Sequence, residues 1–326
     1  KTNGEDIQTF TDASELIHSG ACEAVIIAVP HYLHPSMAIE AMETGLHVIV
    51  EKPAGVYTKQ VEEMNAVAAK HPELVYCMDF NQRTNPLYKK VKDLIDSGDL
   101  GEMTRVIWIV TDWYRSQSYY DQGGWRATWD GEGGGVLLNQ NPHNLDLWQW
   151  MCGIPKRVKS QVYYGKHRNI EVEDDLYALV EYENGATGCY ITTVGDAPGT
   201  NRLEIDGTNG KIVVENNELT FYRLRIPEPE FNATYKGGLG KPEVWECKIP
   251  IKGTYTSHPG IINNFCDCIL KGAKPIAPGA EGIRGLQISN AIHLSSWLNG
   301  EWVNIPVDGE LFLEKLQEHC KEPVTK

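Results

Sequence analysis

Hydrophobic and polar positions follow two different rhythms along the chain. In the first stretch the runs AVIIAV (24–29) and HVIVE (47–51) are apolar without interruption. A parallel strand covered on both faces needs such a run, whereas a strand with one wet face alternates. Amphipathic stretches at 12–19, 35–44 and 58–70 predict helices, and a third strand is expected at 74–79. This is the strand–helix repeat of a parallel sheet. After the polar segment NQRTNP (81–86) the rhythm changes. One helix (87–97) and one strand (103–112) are followed by a long loop rich in Trp and Tyr, then by a helix at 142–152. The segments RVKSQVYY, LYALVEYE, TGCYITTV, RLEIDGT, GKIVVE, LTFYRL and EVWECKIPI come next, with turn sequences such as ENGA, GTNG and ENNE among them. They predict an antiparallel meander. Helices at 261–271, 282–299 and 309–321 close the pattern. The expected fold class is α/β: a Rossmann-type, nucleotide-binding parallel sheet in residues 1–84, followed by an α+β substrate domain with a large, mainly antiparallel open sheet in residues 85–326.

Length agrees with two cores, since 326 residues exceed what one core usually sustains. With 44 acidic and 30 basic side chains the net charge is -14, and no basic block offsets it, which argues against nucleic acid or anionic lipid as a partner. No run approaches the roughly 18–20 apolar residues of a membrane span. The opening KTNGEDIQTF has no apolar leader, so a cytoplasmic protein is expected. The eight cysteines show no C-x-x-C pair, and Cys266 and Cys268 face different directions on a helix, so reduced core thiols and no metal are expected. The glycine clusters at 131–135 and 237–240 do not form G-x-G-x-x-G, nor does any other segment. Either a dinucleotide is held differently, or a first βαβ unit of about 30 residues precedes this chain; the abrupt start inside a strand–helix pattern favours the latter.

Three segments carry the chemistry. Pro30, His31 and His34 lie just beyond one parallel strand, and Glu51-Lys52-Pro53 at the end of the next, where open α/β sheets hold ligands. Lys52 would project from a rigid apolar strand into a cleft. The third segment is GGGVLLNQNPHNLD (133–146): Asn141 suits an N-cap and Pro142 the first helical position, which puts His143 in the first turn. The helix dipole there disfavours imidazolium, leaving a neutral general base, while the glycines bring backbone close to a ligand. Asp146, three residues on, would share the histidine's face and orient the ring or bind a hydroxyl. Between strand and helix, DWYRSQSYYDQGGWRATWD (112–130) holds Trp113, Tyr114, Tyr119, Tyr120, Trp125 and Trp129 beside Asp, Gln and Arg, which suits sugar rings with apolar faces and polar rims.

The ordered set AVPxxLH, EKP, NQR, WR and GGGxLxNxxxHxxD resembles the Gfo/Idh/MocA family of NAD(P)-dependent oxidoreductases, over essentially the whole chain. The resemblance implies NAD or NADP as cofactor, a Rossmann domain followed by an open-sheet domain, and a homodimer or homotetramer formed through that sheet. It implies Lys52 as the lysine that touches nicotinamide ribose and substrate hydroxyl, and His143 as the acid/base residue. It places Pro30, His31, His34, Glu51, Lys52, Asn81, Arg83, Trp125 and Arg126 around the cofactor. Asn139, Asp146, Arg126, Trp113 and Tyr119 are the expected substrate contacts. Asn139 departs from the family's frequent Asp, and His31 from its frequent Asn. An amide binds a hydroxyl but carries no charge. The expected activity is oxidation of a secondary hydroxyl on a sugar, sugar derivative, glycoside or cyclitol. A redox-neutral, NAD-dependent glycoside hydrolase and a non-catalytic sensor of the same fold are the alternatives. His258 is placed as a turn or cap residue first and as a cleft residue second.

Overall fold

Uninterrupted apolar runs become parallel strands in the computed structural model, which describes residues 7–321; part of the opening segment read above for a leader lies outside them. Helix α1 (Ala13–His18) precedes β1 (Ala24–Ile27), α2 (His34–Glu43), β2 (His47–Val50), α3 (Thr58–Ala68) and β3 (Tyr76–Met78). Strands β1, β2 and β3 pair in that order, all parallel. Val48, Ile49 and Val50 are fully buried, as a strand covered on both faces demands. Asp12 caps α1 by accepting a hydrogen bond from the Glu15 amide at 3.0 Å.

The second unit opens with α4 (Pro86–Asp96), β4 (Met103–Val110), a short α5 (Gln117–Tyr120) and α6 (Pro142–Cys152). Strands β5 (Arg157–Tyr164), β6 (Glu173–Glu181), β7 (Thr187–Thr193), β8 (Asn201–Gly207), β9 (Gly210–Glu215) and β10 (Glu218–Leu224) follow, then α7 (Glu228–Thr234) and β11 (Val244–Lys248). The chain closes with α8 (Ser257–Lys271), α9 (Gly282–Trp297), β12 (Val303–Asn304) and α10 (Gly309–Lys321). The sheet order is β11-β10-β9-β8-β4-β7-β6-β5-β12. This corrects the expected simple meander. β4 enters between β7 and β8, parallel to the first and antiparallel to the second, so consecutive strands β7 and β8 are not neighbours. Val106, Trp108 and Val110 are fully buried; a strand with such a face belongs at the centre of a sheet, with both backbone edges paired. Helix α7 has no buried residue and β12 spans two residues, so neither leaves a readable pattern.

Helix α9 joins the two units. Its Asn290 accepts from the Thr58 amide and donates to the Val56 carbonyl, both at 3.1 Å, which fixes the start of α3. On another side, Ser295 Oγ accepts from the Ser160 amide at 2.9 Å and Ser160 Oγ donates to the Ile292 carbonyl at 2.6 Å, which fixes β5. The cleft between the units is thereby held at both walls. All eight cysteines are free thiols. Among the described residues no helix is long and apolar enough to cross a membrane.

Candidate active site

The ends of β1 and β2 are held together before any ligand is considered. His34 is 1% exposed, and its two ring nitrogens lie 2.7 Å from the Pro53 carbonyl and 2.8 Å from the Val29 carbonyl. With both nitrogens set against backbone carbonyls, His34 shapes the strand ends. Beside it Lys52 Nζ donates to the Asn139 carbonyl at 2.8 Å, crossing the cleft to the glycine-rich segment. Burial pulls the Lys52 pKa below 10.5, while Glu51 and Glu132 pull it back up.

His143 stands on the first turn of α6, behind Pro142. Its pKa is pushed down to about 3, by burial first and then by the Lys52 ammonium and the nearby His258. The imidazole is neutral as expected, but burial outweighs the helix dipole as the cause. The Asn141 side chain does not cap the helix; its Nδ2 donates to Thr192 Oγ1 at 2.6 Å. Asp146 does not face His143 either. Its two oxygens take Arg83 Nε at 2.8 Å and Arg83 Nη2 at 2.6 Å, and Arg83 Nη1 reaches Glu281 at 2.5 Å. Arg83 and Asp146 are each 1% exposed, so this fork is a buried support beneath α6. What the structure shows of Arg83 and Asp146 is their mutual pairing under the helix. His143 Nδ1 is buried without a hydrogen-bond partner.

A second interdomain contact lies at the end of β3. His258, on α8, places Nδ1 3.0 Å from Asp79 Oδ2, and its Nε2 accepts from Asn81 Nδ2 at 2.7 Å. Asn81 is thus engaged by the second unit. Glu51, Asp79 and His258 present ligating atoms within 4.8 Å of one another, the one metal-like group among the described residues; both nitrogens of His258 are already occupied. His258 does line the cleft.

Glu132 was not singled out from sequence. It is 1% exposed, and its carboxylate accepts from the Ala127 amide at 2.7 Å and from Asn139 Nδ2. Burial raises its pKa. Its carbonyl oxygen lies 3.1 Å from His31 Nδ1. His31 is itself buried, packs edge-on against Trp125 with ring centroids 5.7 Å apart, and has its pKa pushed down to about 3, chiefly by burial. Glu132 therefore ties together the β1 loop, the aromatic segment and Asn139. The glycines next to it serve packing. A Cβ on Gly133, at φ +80°, would meet Val56 at 2.3 Å, and one on Gly135 would meet the Glu173 carbonyl at 2.1 Å. The Glu173 carboxylate holds the Gly135 and Leu137 amides at 2.7 and 2.9 Å.

The aromatic loop divides by burial. Tyr120 and Trp129 are core residues, Trp129 within a cluster that includes Tyr164, His293 and Trp297. Tyr114 is exposed and lies against Arg168. Trp113, Tyr119 and Trp125 are half-buried. Trp113 donates to Asn144 on α6 at 3.4 Å, and Arg126 Nη1 donates to the Tyr119 hydroxyl at 3.0 Å.

These residues suit the nicotinamide half of a dinucleotide. Glu51 is half-buried, Pro30 is exposed, and Asp79 Oδ1 and Asn81 Oδ1 are buried acceptors without partners, all at strand ends where a ribose or carboxamide brings donors. The comparisons with known proteins agree. A model described as an oxidoreductase family with an NAD-binding Rossmann fold matches residues 2–78, and one for the GFO/IDH/MocA C-terminal domain matches residues 88–213. Levoglucosan dehydrogenase of Pseudarthrobacter phenanthrenivorans is 25% identical, over 91% of this chain and 83% of that protein. The NAD(+) scyllo-inositol 2-dehydrogenase of Bacillus subtilis is 27% identical, over 91% and 81%. Among solved structures, the WlbA dehydrogenase of Bordetella pertussis, in complex with NADH and UDP-GlcNAcA, superposes with a TM-score of 0.77 at 26% identity, over 92% and 83% of the two chains. With both halves matched in order, the chain belongs to the Gfo/Idh/MocA family of oxidoreductases and carries its NAD-binding Rossmann fold.

Proposed function

We propose that this protein oxidises a secondary hydroxyl on a sugar, sugar derivative, glycoside or cyclitol, with His143 and Lys52 as the catalytic residues. The observation that carries the reading is their pairing: a neutral imidazole on α6 within the electrostatic reach of a half-buried ammonium that bridges both walls of the cleft. Levoglucosan and scyllo-inositol, on which the two curated relatives act, are polyhydroxylated rings. A bound NAD or NADP would supply the acceptor for the hydride that leaves the carbinol carbon. The residues do the rest. His143 takes the hydroxyl proton, through Nε2 because Nδ1 is enclosed. Lys52 stabilises negative charge as it grows on the carbinol oxygen. Asn139, whose side chain is oriented by Glu132, hydrogen-bonds a substrate hydroxyl. Trp113 and Tyr119 flank the ring, while Pro30, Glu51, Lys52, Trp125 and Arg126 surround the cofactor.

The division between the units is placed at residues 84 and 85, and the protein is read as a cytoplasmic homo-oligomer. Tyr177 and Leu179 on β6 are each about half exposed, and their cross-strand partners Ile191 and Cys189 on β7 extend the same apolar stripe over the open sheet. Light scattering should give a dimer or tetramer; a monomer at micromolar concentration would refute this part. For the activity, an absorbance screen for reduced nicotinamide, supplying NAD or NADP with sugars, glycosides and inositols, should show net reduction with one class. Cofactor binding with no net reduction across the panel would reject the dehydrogenase.

A further inference from the structure

Two arginines of the aromatic loop share one ring beside the cleft. The Arg115 and Arg126 guanidinium carbons lie 5.2 and 5.4 Å from the centroid of the same ring, Tyr119. Arg115 also covers Trp113 at 5.4 Å and Arg126 covers Trp125 at 4.9 Å. Both arginines are half-buried. Their hydrogen bonds go to neutral oxygens, Arg115 Nη1 to the Tyr114 carbonyl at 2.9 Å and Arg126 Nη1 to the Tyr119 hydroxyl at 3.0 Å. Among the described residues neither has a carboxylate at ion-pair distance, whereas Arg83, Arg157, Arg202 and Arg284 each have one. Among the described residues Arg105, Arg168 and Arg223 likewise lack an ion-pair partner, so what sets Arg115 and Arg126 apart is that the two share one aromatic ring, Tyr119. The nearby Glu132 is engaged by Asn139 and the Ala127 amide, and acts on Arg126 only through space.

Lys52 adds to the same field, since both arginines depress its pKa. Arg115 and Arg126 repel the Lys52 ammonium, a repulsion that Glu51 and Glu132 offset at Lys52 and that an entering anion would offset at the arginines. A guanidinium stacked on an aromatic face keeps its N–H edge free, and that fork matches a carboxylate in bidentate fashion. A neutral ring needs aromatic platforms and hydroxyl partners but not two forks.

We propose that Arg115 and Arg126, seated on Trp113, Tyr119 and Trp125, form an anion subsite for a carboxylate on the substrate, so that the protein acts on an acidic sugar or cyclitol in preference to a neutral one. This deepens the carbohydrate dehydrogenase reading and rests on it.

Glucuronate and galacturonate should be compared with glucose and galactose in the same nicotinamide assay, and by quenching of tryptophan fluorescence in the presence of NADH. The uronates should bind, and where oxidised turn over, at least about tenfold better than their parents, and Arg115→Ala should erase that preference. Arg115→Lys, which keeps the charge and loses the fork, should restore only part of it. Equal binding of acid and neutral sugars would overturn the subsite even if the dehydrogenase stands. If Arg115→Ala instead weakens NADH and leaves the uronate preference intact, the anion is a cofactor phosphate and the proposal fails. Uronate-selective quenching that is lost in Arg115→Ala, without oxidation of any of the four sugars, would support the subsite while counting against the dehydrogenase.

Discussion

His143 owes its neutrality to enclosure, and that sets where activity should respond to pH. The free-enzyme profile, kcat/KM, reports the base and the cation before substrate binds. With His143 pushed down to about 3 and Lys52 held below 10.5, both limbs should lie to the acid side of ordinary histidine and lysine. An acid limb at pH 6.5 would mean that the imidazole is solvated. One carboxylate that acts on Lys52 is Glu132, hydrogen-bonded to the Asn139 amide. Asn139→Asp would set two carboxylates in contact, and kcat/KM should fall by at least about tenfold. The double variant Glu132→Gln/Asn139→Asp should recover much of that loss, because one charge is again shared between the two positions. Additive effects in this cycle would contradict the coupling. Glu132 was invisible in the sequence because a lone acid in DGEGGG has no period and no partner at fixed spacing. The pairing of Arg83 with Asp146 was illegible for a related reason: each lies in a motif beside other candidate residues, and only the fold shows that they neutralise each other.

Helix α6 was legible from end to end, 142–152, since Pro142 opens it and Gly153, at φ +79°, closes it. The parallel strands were legible as well, from apolar runs too continuous for a wet face. The position of β4 was not. Its sequence reports a half-buried strand, whereas its neighbours β7 and β8 are about 80 and 100 residues away, and such pairing is set by global packing. The glycine-rich segment was read as a ligand cradle and proved to be a packing joint, where Gly135 lets the backbone of one segment lie against the Glu173 carbonyl. Gly135→Ala should therefore lower stability by about 1–3 kcal/mol, measured as a reduced urea midpoint at unchanged m-value. An unaltered midpoint would show that the segment has slack.

For the whole molecule, two histidines of the cleft link acid stability to the site. His31 and His143 both titrate at about 3 when folded, against 6.5 as the ordinary value. Between those values the unfolded chain binds more protons, so their contribution is complete above pH 6.5 and is lost as pH falls toward 3. Half-buried Glu51 and buried Glu132 and Asp146, with raised pKa values, act in the opposite sense, so the effect is cleanest as a difference. Relative to wild type, the Tm of His143→Ala should improve steadily from pH 7 to pH 4; a constant difference would show that His143 takes up protons equally in both states. The most direct test of the catalytic assignment uses the same variant. With NAD and a substrate found in the screen, single-turnover formation of reduced nicotinamide should fall by about 10²–10⁴-fold in His143→Ala, with the Kd for NADH within about threefold of wild type. Reduction at the wild-type rate would contradict the placing of the proton transfer on His143.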